Sequence, residues 1–257
     1  MLLKTAKEIQ QRQSQPQVDT SEPVTIKDKN GKETKTEVKE KVTETNEGNG
    51  TSSTKNILAG KTYYSIDFEK VEYNSATVNR AKIYISMAAF DSNGQKVKWT
   101  ELKYDFKNGN VEKNEIIGPD EFNYSVSGST LTIGGDNDPL IGTINSDGSS
   151  INAEGSVMKE FKGNLYAIAE AEANEKRLLA KAHIAIVDGT VCTCESRTFK
   201  SNANPQEDSE VVNGTVSGNT LTFIFEEDGE TGTASGKLSD KEIVIDTPDG
   251  GLTLKRM

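Results

Sequence analysis

The stretch HIAIVDGTVCTC (183–194) holds the chain's only histidine and both of its cysteines, the side chains best suited to a soft or borderline metal ion. An Asp-Gly dipeptide between alternating apolar residues predicts a two-residue hairpin turn at Asp188-Gly189, so that Val187 pairs with Thr190. Ala185 then faces Cys192 and His183 faces Cys194, and His183, Cys192 and Cys194 project from one side of the hairpin. Directly opposed Cβ atoms lie about 4.5–5.5 Å apart, near what a shared Zn²⁺ or copper ion needs. A fourth ligand has to be Asp, Glu or water, and cysteine also packs as a small hydrophobe, so the set reads either as a metal site or as plain packing. A Cys192–Cys194 disulfide is disfavoured, because a two-residue step along a strand puts the Cα atoms near the upper limit for bridging. Ala182, Ile184, Ile186 and Val191 share the opposite side and read as the core face. That expectation turns the Cys/His side outward, beside Lys181, or against another module.

A second set is aromatic. Trp99, Tyr104, Phe106 and Tyr124 could line a pocket for a small apolar ligand, since amphipathic rings serve that role. The same rings serve equally as ordinary core. Val97 and Trp99 have one parity, whereas Leu102, Tyr104 and Phe106 have the other. One strand can point both sets inward only through a bulge near Thr100-Glu101. Phe122, Val126, Leu131 and Ile133 would complete the interior.

Other motifs fall short. GGDNDP (134–139) lacks the Gly and distal Glu of an EF-hand loop and reads as a solvated turn. GETGTASGKLS (229–239) misses the spacing of a phosphate loop and lies between strands. No nucleophile elbow is present, His183 has no evident Ser partner, and the carboxylates are scattered. No catalytic residue is assigned, and a non-enzymatic protein is expected.

The elements that must position these residues follow from composition and punctuation. The 257 residues are only 33% hydrophobic, with one Trp and a net charge of −10. That is thin for one large core and suits small barrels with a disordered part. The acidic balance argues against nucleic acid or anionic lipid as partner, both of which demand a basic face. No apolar run reaches the roughly eighteen residues of a membrane span. MLLKTAKEIQQ is too short and polar for a signal-peptide core, so any export signal, or lipid or membrane anchor, is expected upstream of these residues.

Residues 25–56 mix Lys, Glu, Thr and Asn without an apolar period, and 1–56 read as a disordered tail or linker, with a reach of roughly 40 Å as a flexible coil. Beyond them the punctuation changes. Asn93-Gly94, Asn108-Gly109, Asp147-Gly148, Asp188-Gly189, Asn213-Gly214, Asp228-Gly229 and Asp249-Gly250 are hairpin dipeptides between short alternating segments. The fold class is all-β and antiparallel. AIAEAEANEKRLLAKA (167–182) is rich in helix formers, yet 178–187 reads as strand and 169–177 stays open.

The chain also repeats itself. VSGSTLTI (126–133) returns as VSGNTLTF (216–223), Phe106-Lys107 as Phe199-Lys200, Ala81-x-Ile83-x-Ile85 as Ala182-x-Ile184-x-Ile186, and Gly60-x-x-Tyr63 as Gly163-x-x-Tyr166. The offset falls from 103 to 90 residues, as shorter loops in the second copy would produce. Two tandem up-and-down β modules are expected, 57–161 and 162–257.

With Gly60-x-x-Tyr63, Gly163-x-x-Tyr166, YSVSGSTLTI and a basic residue in each closing strand, the two modules resemble bacterial lipocalin-like β-barrel domains. Lipocalins proper open on Gly-x-Trp, with a terminal Arg packed across the Trp. Here Tyr63 and Tyr166 stand in its place one residue later, and Lys159, and Lys255 or Arg256, match the basic residue. The resemblance implies tandem barrels of a bacterial cell envelope or surface that enclose a small apolar ligand, or solid barrels that engage a protein partner. A cytoplasmic location is the alternative.

Overall fold

A computed structural model describes residues 25–27, 33–35, 56–72, 79–135, 138–173, 177–201, 206–227, 230–247 and 250–257. Among the described residues there is no helix, and so none long and apolar enough to cross a membrane. Strands β1 (Thr25–Lys27) and β2 (Glu33–Lys35) pair antiparallel. Apart from those strands and Asn56, the tail expected over 1–56 lies outside the described residues, as do 174–176 and the turn at Asp228-Gly229.

The first module contains β3 (Thr62–Glu72), β4 (Arg80–Phe90), β5 (Lys96–Lys107), β6 (Asn110–Ser127), β7 (Thr130–Ile133), β8 (Leu140–Ile144), β9 (Ser150–Ala153) and β10 (Ser156–Phe161). The second contains β11 (Asn164–Ala173), β12 (Leu178–Asp188), β13 (Val191–Ser201), β14 (Gln206–Ser217), β15 (Thr220–Glu227), β16 (Glu230–Leu238), β17 (Glu242–Thr247) and β18 (Gly250–Arg256). Each set closes into an eight-stranded antiparallel barrel in chain order. Both barrels belong to one compact unit, and the β1–β2 hairpin to another.

The repeated octets are the β6–β7 and β14–β15 hairpins, turning on Gly128-Ser129 and Gly218-Asn219 with glycine φ of 60° and 59°. Glycine at the first turn position is the type II′ solution, whose twist matches the strands it joins. Asn108-Gly109, at φ 51° and 81°, is the type I′ alternative. Several expected turns differ. Asn93-Gly94 and Asp147-Gly148 each lie in a five-residue loop, 91–95 between β4 and β5 and 145–149 between β8 and β9. Asn213-Gly214 lies inside β14, where Gly214 leaves room for the Phe223 ring.

The first four strands of each module are longer than the last four, so part of their length runs beyond the residues that close the ring. In the first barrel β10 pairs with β3 only through Lys159–Tyr64, Glu160–Tyr63 and Phe161–Thr62. Beyond Tyr64 that edge of β3 has left its neighbour.

Three apolar clusters result. Tyr63, Ala88, Phe90, Val97, Trp99, Tyr124, Leu131, Ile133, Ile151 and Met158 plug the first barrel. Tyr166, Ala185, Val187, Cys192, Leu221, Phe223, Ile243, Ile245 and Leu254 plug the second. The third cluster lies between the barrels, where Tyr64, Ile66, Ala81, Ile83, Ile85, Leu102, Tyr104 and Phe106 meet Leu165, Ala167, Ala169, Leu178, Ala180, Ala182 and Ile184. The alanine-rich stretch is therefore strand over Asn164–Ala173 and Leu178–Asp188. Its alanines let the outer faces of two barrels approach closely.

Candidate functional site

The structure divides the expected aromatic set. Trp99 and Tyr124 sit in the plug of the first barrel, with Phe90 packed edge-on to Tyr124 at 4.7 Å. Tyr104 and Phe106 stack on each other at 5.7 Å on the outer face and pack against the second barrel. The expectation that all four line one interior is corrected by the register. β5 pairs with β4 without interruption from Val97–Phe90 to Lys107–Arg80, so its side chains alternate throughout. An irregularity does occur between Trp99 and Glu101, but the extra residue is in β6, next to Gly118 and Pro119. The two parities serve two cores.

The Cys/His expectation is corrected in register and in orientation. The β12–β13 turn is Gly189-Thr190, with Gly189 first at φ 61°, as in the octet hairpins. Val187 therefore pairs with Cys192, Ala185 with Cys194, and His183 with Ser196. Cys192 is fully buried in the plug of the second barrel, while Ala182 and Ile184 face the first barrel and Val191 is exposed. β12 is covered on both faces, so an apolar face alone did not identify the interior.

Both cysteines are free, with Sγ atoms 4.0 Å apart. Their contact pulls the Cys192 thiol down and, with burial, pushes Cys194 up. His183 turns instead to Ser196 Oγ, 2.8 Å from Nδ1, and to Glu170 Oε1, 3.3 Å from Nε2. The hydrogen bond from His183 holds Glu170 below the usual carboxylate range. Among the described residues no three His, Cys, Asp or Glu converge as metal ligands. The Ser partner that the sequence did not reveal thus exists. Ser196, however, pairs with His183 on one side and Glu210 on the other, inside two strand ladders, so free backbone donors do not gather around it as an oxyanion would require.

Above its apolar plug the first barrel is polar. Ser65, Ser86 and Glu101 form one cross-strand row, and Asp67, Tyr84 and Lys103 the next. Burial pushes Glu101 above the usual carboxylate range, with Ser86 Oγ 3.5 Å away. Trp99 Nε1, Asp105 Oδ1 and Ser156 Oγ are buried with no hydrogen-bond partner among the described residues.

Ser156 leads to a cleft that the sequence did not signal. Continuing the β3–β10 register would set Ser156 opposite Asp67, but the strands have parted there. The second barrel fills part of the gap from the outer face of β13. Glu195, 4% exposed, accepts Tyr64 Oη at 2.7 Å and Lys159 Nζ at 2.9 Å. Arg197 donates to the Ile66 carbonyl and pairs with Glu207, its guanidinium 5.8 Å from the Phe68 ring centre. Ser201 Oγ donates to the Val71 carbonyl at 3.2 Å. Lys159 is thereby engaged with Glu195, not laid across Tyr63. What is left open is a cleft of about 420 Å³ between Asp67, Ser156 and Lys159 of one barrel and Glu195, Arg197 and Asp208 of the other.

No family model matches the chain. No curated protein matches it. The crystal structure of the Helicobacter pylori beta clamp bound to a DNA ligase peptide aligns over 77% of this chain and 92% of that one, at 6% identity and a TM-score of 0.11, a likeness too slight to carry an argument.

Proposed function

We propose that the chain is a non-enzymatic binding protein that seats a small polar ligand in the cleft between its barrels. One observation carries the reading. Ser156, 7% exposed, lines the cleft and has a hydroxyl with no partner among the described residues. Leaving a buried polar group unpaired costs about 1–3 kcal/mol, which a ligand atom bonded to it would offset. The volume of about 420 Å³ suits a small molecule.

An apolar ligand finds less support, because side chains of the protein itself fill both plugs. The adhesion alternative is also less supported. Val111, Ile116, Ile141, Val191, Val211 and Ile224 are exposed on several different strands, and the edge of β6 that has no paired strand among the described residues carries Glu112, Lys113, Glu115 and Pro119, residues that discourage added strands. The resemblance to lipocalin-like domains and a location at a bacterial envelope or surface remain part of this proposal.

Native mass spectrometry of the full chain, purified from its source cells, tests it. A copurifying polar compound lost on denaturation, and lost from Ser156→Leu that melts like wild type, is the expected result. A ligand that Ser156→Leu retains would place binding elsewhere and overturn the reading.

A further inference from the structure

We infer that the ligand of this cleft presents a primary ammonium group, held between the Asp67 carboxylate and the Ser156 hydroxyl. The inference rests on the binding role proposed above and follows from which charges of the cleft are already answered. Lys159 is within 2.9 Å of both Glu195 oxygens. Arg197 is shared between Glu207 and the Ile66 carbonyl. Asp208 takes Lys200 at 2.8 Å. Asp67 alone has no ion pair among the described residues: the neutral Ser65 hydroxyl donates to its Oδ2 at 3.1 Å, and the charge it feels from Glu101 is of its own sign. An anionic ligand would have to displace Glu195 or Glu207 from its partner to find a free positive charge. A cationic one finds an unanswered carboxylate already in place.

Ser156 supplies the second half. Its hydroxyl is more than nine-tenths buried, unpartnered, and on the wall of the same cleft. The broken register puts it across the opened seam from Asp67, farther than a paired neighbour would stand. An ammonium group carries three donors on one small atom and can bridge such a pair of acceptors. A guanidinium asks for a planar, paired acceptor geometry, which a carboxylate and a lone hydroxyl on separate strands do not offer.

Calorimetric titration of the full chain with three probes of matched length tests this: 1,5-diaminopentane, pentane-1,5-diol and glutarate. The diamine alone is expected to bind, more weakly as salt is raised. Asp67→Asn should weaken it by about tenfold to a hundredfold, the range of a lost charged hydrogen bond, and Ser156→Ala by less. Thermal melts of both variants separate lost binding from lost fold. Binding of the diol or glutarate without the diamine, sensitive to Ser156→Ala, would overturn the ammonium while sparing the cleft as a binding site. Diamine binding unchanged in Asp67→Asn, or no binding by any probe, overturns the inference, and the copurification experiment then judges the cleft independently.

Discussion

Glu101 shows what the polar half of the first barrel costs. Its carboxyl is 7% exposed and burial raises its pKa, so the folded chain holds this proton more tightly than the unfolded chain. Stability from this group is therefore full below the unfolded carboxylate range, about pH 4, and falls as pH rises through the raised folded value. Glu101→Gln keeps the shape and removes the charge. It should raise the melting temperature at pH 7, with the gain vanishing near pH 4. A gain independent of pH would mean that charge burial is not its source. Asp91 and Asp147 have the opposite sign. Backbone N–H donors hold both carboxyls low, and their contribution is lost as pH falls through those lowered values.

At the scale of strands and turns, glycine settles registers that the apolar pattern leaves open. Gly118 has φ 93°, and a Cβ there would lie 2.4 Å from the Trp99 carbonyl oxygen. Gly118→Ala should destabilise the first barrel by about 2 kcal/mol or more, read as an earlier loss of Trp99 fluorescence on denaturation; an unchanged midpoint would mean the β5–β6 irregularity relaxes freely. The same chemistry marks how far the sequence could be read. The octets with Gly128 and Gly218 disclosed hairpins and a repeat, because a turn glycine and an alternating strand are local signals. Gly189 did not disclose its register, since Asp188-Gly189 and Gly189-Thr190 are both acceptable turns, and only the strand pairing distinguishes them. Alternation separated Trp99 from Tyr104 correctly, but it could not say that each parity has a core of its own. The cleft was illegible for a related reason. Ser156 and Asp67 lie 89 positions apart, joined only by a ladder that stops short of them.

At the scale of the whole molecule, the barrels share more than a linker. Sixteen buried residues drawn from both make one apolar cluster, and β13 lays Glu195, Arg197 and Ser201 along the edge that β3 leaves open. Each barrel thereby covers an outer face that the other could not expose to water without loss. The two should unfold together, with Trp99 fluorescence, which reports the first barrel alone, coinciding with far-ultraviolet circular dichroism, which reports both. Ile83 is fully buried, yet it belongs to the shared cluster and not to the plug of its own barrel. Ile83→Asp places an unpaired charge in the shared surface and leaves the first plug untouched. The two probes should then separate into successive transitions. Coincident curves at a lower midpoint would show instead that the barrels cannot stand apart, and the cleft between them would be a fixed feature of a single folding unit.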